Sequence, residues 1–495
     1  MDRSRNTFAL WSAGLLCAAG GVVASCTLGP NYSRPAVDVP ATYKSATQPA
    51  VTSTNLHRWW ALFNDEDLTR LEEAALQQNP DLKAAMARVE QARAVASQVE
   101  SQFYPQITLD PSINWAITPK GKTGSVTRIP FDLGYEIDIW GQVKRSLEAA
   151  NATTQATADQ YGVVELTLEA DVAQDYFNLR SLEQQDRIFT ENVTLTREQL
   201  DLTRRKLQAG IVGQIDVSQA QTQLNELITQ QVDIRRQRAD TEHALAILTG
   251  KPPSEFSVAA AEVAKVPPVV PPELPAQILR RRPDVAAAEQ NLVAANAQVG
   301  VAITNFYPTV RISGAAGLAS VNVQHVLDWQ SALLQLGPSV SVPVFEGGRL
   351  EAELAQARAR YDELVATYRG TILAAFRDVE TAMTDVHMYN DELDAQHQAV
   401  ESAREYLRLS RLEYDQGLES YLQLLDADRT LLTNQITESQ LTNQRLTATV
   451  LLIKALGGDW DPHSPASTNT GVPGLLRQDA RTLTNTDWAI QDSNL

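Results

Sequence analysis

The amino-acid sequence contains the same pattern twice. Asn79-Pro80-Asp81-Leu82 recurs as Arg282-Pro283-Asp284-Val285, and Phe103-Tyr104-Pro105 recurs as Phe306-Tyr307-Pro308, both after a shift of 203 positions. Farther along, Arg197, Leu200 and Gly210 recur as Arg404, Leu407 and Gly417 after a shift of 207 positions. Because the halves share one order of motifs, the chain is predicted to fold as two similar units.

Each half contains a long run without proline, from Gly141 to Gly210 and from Gly348 to Gly417. The only glycine inside each run is Gly162 or Gly370. Each run holds 68 residues between its end glycines, which corresponds to about 100 Å of helix. Apolar and small residues in the second run alternate at spacings of four and three, which is typical of a coiled-coil seam.

Shorter helices are predicted on either side of each run. The opening helices cover 81–104 and 284–307, and the return helices cover 214–249 and 418–456. An opening helix stacked end to end on a return helix measures about 90 Å, close to the length of the long helix. The fold class is therefore predicted to be mainly α, with long coiled-coil helical hairpins in two internal repeats.

Two segments of each half lie between the opening helix and the long helix and alternate apolar with polar residues. Alternation over about ten residues is what a membrane barrel strand requires, although a soluble sheet packed on one face shows the same pattern. The apolar positions are Ile107, Leu109, Ile113, Trp115 and Ile117; Ile129, Phe131, Leu133, Tyr135, Ile137 and Ile139; Val310, Ile312, Ala316 and Leu318; and Leu336, Val340, Val342 and Val344.

The acidic residues Asp110, Asp132, Glu136 and Asp138 occupy polar positions of the first two strands. If the apolar positions face lipid, these carboxylates face the barrel lumen and make the pore prefer cations. Four strands leave two open edges, which lipid does not tolerate, so several chains must share one barrel. Two chains would give eight strands and three would give twelve, and both numbers are permitted.

The N-terminus is predicted to be a secretory signal over residues 1–25, since Arg3 and Arg5 precede an apolar stretch from Phe8 to Val23. Val23-Ala24-Ser25-Cys26 resembles a bacterial lipobox, so Cys26 is predicted to be the lipidated first residue of the mature chain. An ordinary cleavage site with a chance cysteine is the alternative. No other segment has eighteen consecutive apolar residues, so a membrane span would have to use strands.

The remaining segments follow from these boundaries. Residues 26–78 form a lipid-anchored N-terminal segment, 79–250 the first repeat and 276–457 the second repeat. Residues 251–275 carry seven prolines and are predicted to be a stiff linker. Residues 458–495 form a polar C-terminal tail.

Composition excludes several classes of function. The formal charge of −18 argues against a nucleic-acid partner, which requires a basic face. The sequence has no Gly-x-Ser-x-Gly, His-Glu-x-x-His or phosphate-binding glycine motif, so no enzyme, metal or nucleotide site is expected. The lipid on Cys26 is the only attached group predicted. A lipid-anchored periplasmic coiled-coil scaffold without channel activity is the alternative function, but it would not explain four amphipathic strands.

Six short strings occur in order: Leu28-Gly29-Pro30-Asn31-Tyr32, Asp138-Ile139-Trp140-Gly141, Leu274-Pro275, Arg281-Arg282-Pro283-Asp284, Pro343-Val344-Phe345-Glu346-Gly347-Gly348-Arg349 and Tyr421-Leu422-Gln423-Leu424-Leu425-Asp426-Ala427. On these strings the chain resembles the outer-membrane efflux protein family typified by TolC, in its lipoprotein branch of OprM and NodT type. The resemblance covers Cys26 to about Trp460.

The resemblance implies a homotrimer in the outer membrane that extends into the periplasm, with a twelve-stranded β-barrel above a twelve-helix α-barrel. It also implies a periplasmic adaptor and an inner-membrane efflux pump as partners. In the resembling family a leucine, an aspartate and an arginine close the periplasmic aperture, and they match Leu422, Asp426 and Arg429. Arg429, or an arginine of a neighbouring subunit, is the expected partner of Asp426. The first half has Gln219 at the position of Asp426, so one hairpin of the two would carry the charged ring.

Overall fold

The structure is a computed structural model that describes residues 27–45, 58–117, 123–261, 267–268, 275 and 280–460. Cys26, the predicted signal of residues 1–25 and the part of the predicted tail after Trp460 lie outside the described residues.

The helices follow the predicted order in both halves. The two long helices contain 67 residues each and are about 100 Å long. The helix bounds are α1 Glu66–Gln78, α2 Pro80–Glu100, α3 Gln142–Gln208, α4 Gln214–Leu248, α5 Pro283–Thr304, α6 Arg349–Asp415 and α7 Tyr421–Ala455. The predicted fold class is confirmed, because the long helices, their return helices and the strands recur in both halves.

Each long helix reverses into its return helix at a glycine. Gly210 and Gly417 have φ of 71° and 74°, in the left-handed region that side chains with a Cβ rarely adopt. The next residue closes the turn, because Ile211 N–H donates to Lys206 O and Leu418 N–H donates to Glu413 O, both at 2.9 Å. This pattern satisfies carbonyls that a helix end leaves without partners.

Helix α3 is the centre of the packing, since it contacts α1, α2, α4, α5 and α7. Helix α5 also packs against α6, and α6 packs against α7 to form the second hairpin. One core surrounds Tyr176 and Phe177 of α3 and includes Trp59, Trp60 and Phe63 from the turn Trp59–Phe63. A second, smaller core joins the two hairpins near their glycine turns.

The described first part of the predicted linker packs against α3 and α4. The fully buried Arg180 donates to Ala259 O at 2.7 Å and forms ion pairs with Glu183 and Asp67. Glu242 of α4 accepts from Val258 N–H at 2.9 Å. Residues 258–259 are therefore fixed to the helices by charge-assisted hydrogen bonds.

The strands form one antiparallel sheet. Their bounds are β1 Gln106–Leu109, β2 Ser112–Ile117, β3 Thr123–Ile137, β4 Thr309–Ser320 and β5 Ala332–Ser341. The order is β1-β3-β4-β5, and β2 also pairs with β3. The predicted first strand is interrupted at Asp110, although its register continues across the gap, since Leu109 lies opposite Phe131 and Ser112 opposite Arg128. The residue that faces Asp110 is Pro130 of β3, which has no N–H to donate back to it.

The core around α3 contains a carboxyl group that sequence reasoning did not identify. Glu72 of α1 is completely buried, and neither of its carboxyl oxygens has a hydrogen-bond partner. Burial, and secondarily the charge of Glu169 on α3, raise the pKa of Glu72 well above its usual range. Glu169 accepts from Trp59 Nε1 at 2.9 Å, and its pKa is also raised by burial. Glu72 is therefore buried in its neutral form.

We expect Glu72→Leu to stabilise the protein at pH 8 by about 1 to 3 kcal/mol, because it removes an unpartnered buried polar group. The gain should be smaller near pH 4. Above the ordinary glutamate pKa the unfolded chain releases this proton while the folded chain keeps it, so stability falls as pH rises. Thermal unfolding of the detergent-solubilised protein at both pH values measures the difference. The control is Glu73→Leu, since Glu73 is exposed and pairs with Arg58. Equal shifts for both variants would contradict the prediction.

Candidate functional site

The register of the sheet separates apolar from polar side chains. Ile107 lies opposite Leu133, Leu133 opposite Gly314, and Gly314 opposite Leu336, so these residues share one face. That face is exposed in the chain: the exposed fraction is 68% for Ile107, 74% for Leu336 and 84% for Leu334. A face this apolar and this exposed needs a cover other than water.

The opposite face of the sheet carries the polar side chains. Thr108, Asp132, Ala315 and Gln335 form one row across β1, β3, β4 and β5. Four residues farther along β3, Glu136 lies opposite Arg311 and pairs with it at 3.5 Å. Asp132 and Glu136 thus share the polar face.

The other two predicted lumen residues lie outside the strands. Asp110 falls in the break between β1 and β2, where its N–H still donates to Pro130 O at 3.3 Å. Asp138 comes after the end of β3, and its carboxylate accepts from Lys144 N–H in the first turn of α3 at 3.0 Å. Asp138 therefore caps a helix at the strand–helix junction, where a carboxylate is favoured by the helix dipole.

Arginines on the polar face were missed by reasoning from acidic residues alone. Arg128 is opposite Ser112, and Arg311 is opposite Glu136 and Ser339. The described part of this face carries three carboxylates and two guanidinium groups, and therefore one net negative charge. These groups belong to Asp110, Asp132, Glu136, Arg128 and Arg311. Counting every charge at alternate positions would have identified both arginines from the sequence.

The opposite end of the molecule is formed by the turns of the two hairpins. Leu422, Asp426 and Arg429 are all exposed and lie on one side of α7, as spacings of four and three require. Apolar side chains at both turns are exposed as well: the exposed fraction is 71% for Ile211 and 72% for Leu418.

Arg429 connects the two hairpins within the chain. Its guanidinium donates to Gln223 Oε1 at 2.6 Å and to Glu226 Oε2 at 2.8 Å, both on α4. Asp426 instead accepts from Tyr406 Oη of α6 at 3.1 Å. The expected pairing of Arg429 with Asp426 is not formed within this chain, because Glu226 and Gln223 satisfy the guanidinium and Tyr406 satisfies the carboxylate.

Asp428 is on the inner side of α7, two residues from Asp426. Burial raises the pKa of Asp428, and the nearby Arg411 and Arg429 act in the opposite direction. Tyr421 lies close by, and burial raises its pKa to about 12. The two aspartates therefore differ in environment, and Asp426 alone belongs to the exposed face with Leu422 and Arg429.

None of the described helices has both the length and the apolar composition needed to cross a bilayer. No group of three or more His, Cys, Asp or Glu side chains among the described residues is arranged to hold a metal ion.

A sequence model of the family described as outer membrane efflux protein matches residues 71–251 and 274–458. The chain belongs to this family. It is 32% identical over 460 residues to the solvent efflux pump outer membrane protein SrpC of Pseudomonas putida, covering 89% of this chain and 96% of that protein. It is 30% identical over 448 residues to the probable outer membrane lipoprotein SilC of Salmonella typhimurium, covering 89% and 97%.

The structure agrees with this assignment. It superposes on the outer-membrane channel OprN with a TM-score of 0.81 at 27% identity, covering 88% of this chain and 99% of that one. This outer-membrane efflux channel is thus the outer-membrane component of a tripartite pump, and its relatives are channel proteins rather than enzymes or scaffolds. The predicted family, location and main function are confirmed.

Proposed function

We propose that three copies of this chain form one tunnel, open at the strand end and closed at the helical end by Leu422, Asp426 and Arg429. The observation that carries the proposal is the sheet. It has an exposed apolar face, and the outer edges of β1 and β5 have no neighbouring strand among the described residues. Other copies of the chain can pair with these edges, and lipid can cover the apolar face.

The internal repeat supports a particular register between protomers. Within the chain, the opposed pair Ile107 and Leu133 has its repeat equivalent in the opposed pair Val310 and Val340. The shift of 203 therefore holds for the first strand of each half, and the shift of 207 holds for the second. Between the halves, Ile137 pairs with Val310 and Tyr135 with Ile312. The same shifts place Val344 opposite Ile107 of the next protomer and Val342 opposite its Leu109. All four side chains are exposed and apolar in the single chain.

We also propose that the lipid is attached at Cys26 and that the hairpin turns bind the periplasmic adaptor of the pump. The name of the relative SilC as a probable lipoprotein supports the lipid. The exposed Ile211 and Leu418, together with Ile215 and Leu422, support the docking role, because clustered apolar side chains at a loop tip mark a protein interface. The chain itself is proposed to catalyse no reaction.

The aperture is proposed to be held closed by one link within the second hairpin, from Tyr406 to Asp426, and by one link between the hairpins, from Arg429 to Glu226. Asp426→Ala should increase open probability, because it removes the carboxylate that accepts from Tyr406. Arg429→Ala should do the same by releasing α7 from Glu226. With three copies of a link worth about 0.2 to 1 kcal/mol each, we expect roughly a threefold or larger increase.

Conductance in planar bilayers without the adaptor measures these effects. The control is Arg236→Ala, which removes an exposed arginine whose ion pairs stay within α4. Unchanged openings in well-assembled Asp426→Ala and Arg429→Ala trimers would refute this aperture.

The proposed barrel register can be tested by disulfide formation between protomers. Val342→Cys combined with Leu109→Cys should give covalent trimers on oxidation, because directly opposite Cβ atoms lie about 4.5 to 5.5 Å apart. Val342→Cys with Ile107→Cys is the matched control, since a diagonal pair lies about 7 to 8 Å apart. Stronger cross-linking of the control pair would show that the register is shifted by two residues.

The lumen is proposed to be lined by the polar face, with a modest preference for cations. Arg311→Ala should increase that preference, because it leaves Glu136 without its counter-charge. Asp138→Asn should leave it unchanged, since this side chain caps α3 and the amide oxygen can still accept the same hydrogen bond. Reversal potentials in a potassium chloride gradient measure both. An anion preference in the wild type would reject the lining.

A further inference from the structure

Residues 27–45, which we call the N-terminal strap, run from the start of α3 along α5 to α6. Leu28 N–H donates to Trp140 O at the strand–helix junction at 3.1 Å. Pro30 O accepts from Asn296 Nδ2 of α5 at 2.9 Å, and Arg34 Nε donates to Glu289 of α5 at 2.7 Å. The strap then reaches α6, where Lys44 N–H donates to Glu380 at 2.6 Å.

The strap has little slack. Thr27 contacts Gly141, and Gly348 is the equivalent of Gly141 in the second repeat. Helix α6 rises about 48 Å between Gly348 and Glu380. The backbone from Thr27 to Lys44 can span at most about 60 Å. Such a rise would use about four-fifths of that span, so the strap is largely extended, with bends at Gly29 and at 41–42 and a turn at 44–45.

Arg145, in the first turn of α3, holds the beginning of the strap. Its Nε donates to Leu28 O at 3.0 Å, and its Nη2 donates to Gly29 O at 3.2 Å and to Asn31 Oδ1 at 3.0 Å. Nη1 donates to Glu148 at 2.7 Å, and the residue is 3% exposed. A rigid planar fork with several donors is suited to such a set of acceptors.

Two glycines allow the strap to approach α5 closely. A Cβ at Gly29 would lie 2.5 Å from the Cα of Gly300, which is closer than any real contact of this kind. A Cβ at Gly300 would lie 3.1 Å from the side chain of Arg145. The close approach brings the strap carbonyls within reach of the guanidinium.

The equivalent positions of the other repeat lack every one of these features. Arg145 corresponds to Ala352, which lies 207 positions later. The positions 203 residues before Gly300, Asn296 and Glu289 hold Ser97, Arg93 and Met86. In the trimer, the equivalent of the α3–α5 seam is the seam between α6 and α2 of the next protomer. The strap therefore fits the seam within the chain and not the similar seam between chains.

We propose that Arg145 is a positioning residue that fixes the strap in the α3–α5 groove of its own chain. Thr27 lies beside Gly141 at the strand–helix junction. A lipid attached to the chain just before Thr27 would therefore be tied to the barrel instead of to the end of a loose tether. The inference rests on the proposed lipid attachment for its role in anchoring, but the docking of the strap can be measured separately.

The strap contains a chymotrypsin site at Tyr32, whose hydroxyl donates to Glu289 at 3.3 Å. In detergent-solubilised full-length trimers, Arg145→Ala should speed cleavage after Tyr32 about tenfold, since weaker docking populates the open strap. Gly300→Ser, which installs the residue found at the equivalent position of the first repeat, should act in the same direction. The matched control is Ser97→Gly, the reciprocal exchange at the equivalent exposed position, and it should change the rate less than twofold.

Mass spectrometry of the released peptide measures the rate and also shows whether Cys26 carries lipid. Arg145→Lys should give an intermediate rate, because a single ammonium can reach fewer of the three strap acceptors. Wild-type cleavage rates in folded Arg145→Ala and Gly300→Ser trimers would overturn the proposal. An unmodified cysteine with accelerated cleavage would reject the lipid attachment while leaving the role of Arg145 in place.

Discussion

Backbone hydrogen bonds at the edges of the sheet decide how this chain can exist in a membrane. An N–H or C=O group without a partner costs several kcal/mol in lipid, where no water can replace the missing bond. Strands β1 and β5 present two such edges. Closing them with further copies also arranges the helices, because each copy repeats the unit of strands and long helix. In the proposed trimer, the contact of α3 with α5 inside the chain would have its counterpart in a contact of α6 with α2 of the next protomer.

Much of the fold could be predicted from the sequence because local chemistry fixes it. Pro80 and Pro283 are the first residues of their helices, and Gly210 and Gly417 form the turns of the hairpins. Alternation within the strands correctly placed Asp132 and Glu136 on the polar face of the sheet. The break opposite Pro130 is also visible in the sequence, since a proline inside an alternating segment removes a donor from the ladder.

Partners across long sequence distances could not be predicted in the same way. Arg429 can pair with Glu226 or with Asp426, depending on how α4 and α7 are rotated about their axes. The spacing of apolar residues in the sequence does not define that rotation closely enough. The buried glutamates could be predicted only in part from the sequence. Comparing the repeats shows Glu165 and Glu169 where the second half has Ile372 and Phe376, but only the structure shows that Glu169 lies near Glu72.

The exposed apolar face of the sheet has a consequence for the biogenesis of the channel. Before assembly a protomer is in water, where the side chains of Leu334, Leu336 and Val344 favour contact with any other apolar surface. If every step of assembly is reversible, the amount of correct trimer at equilibrium rises with the third power of the protomer concentration. Aggregation, in contrast, begins with any encounter of two chains. The yield of channels is therefore set by kinetic competition, and a holding factor that shields the sheet would raise it without altering the final structure.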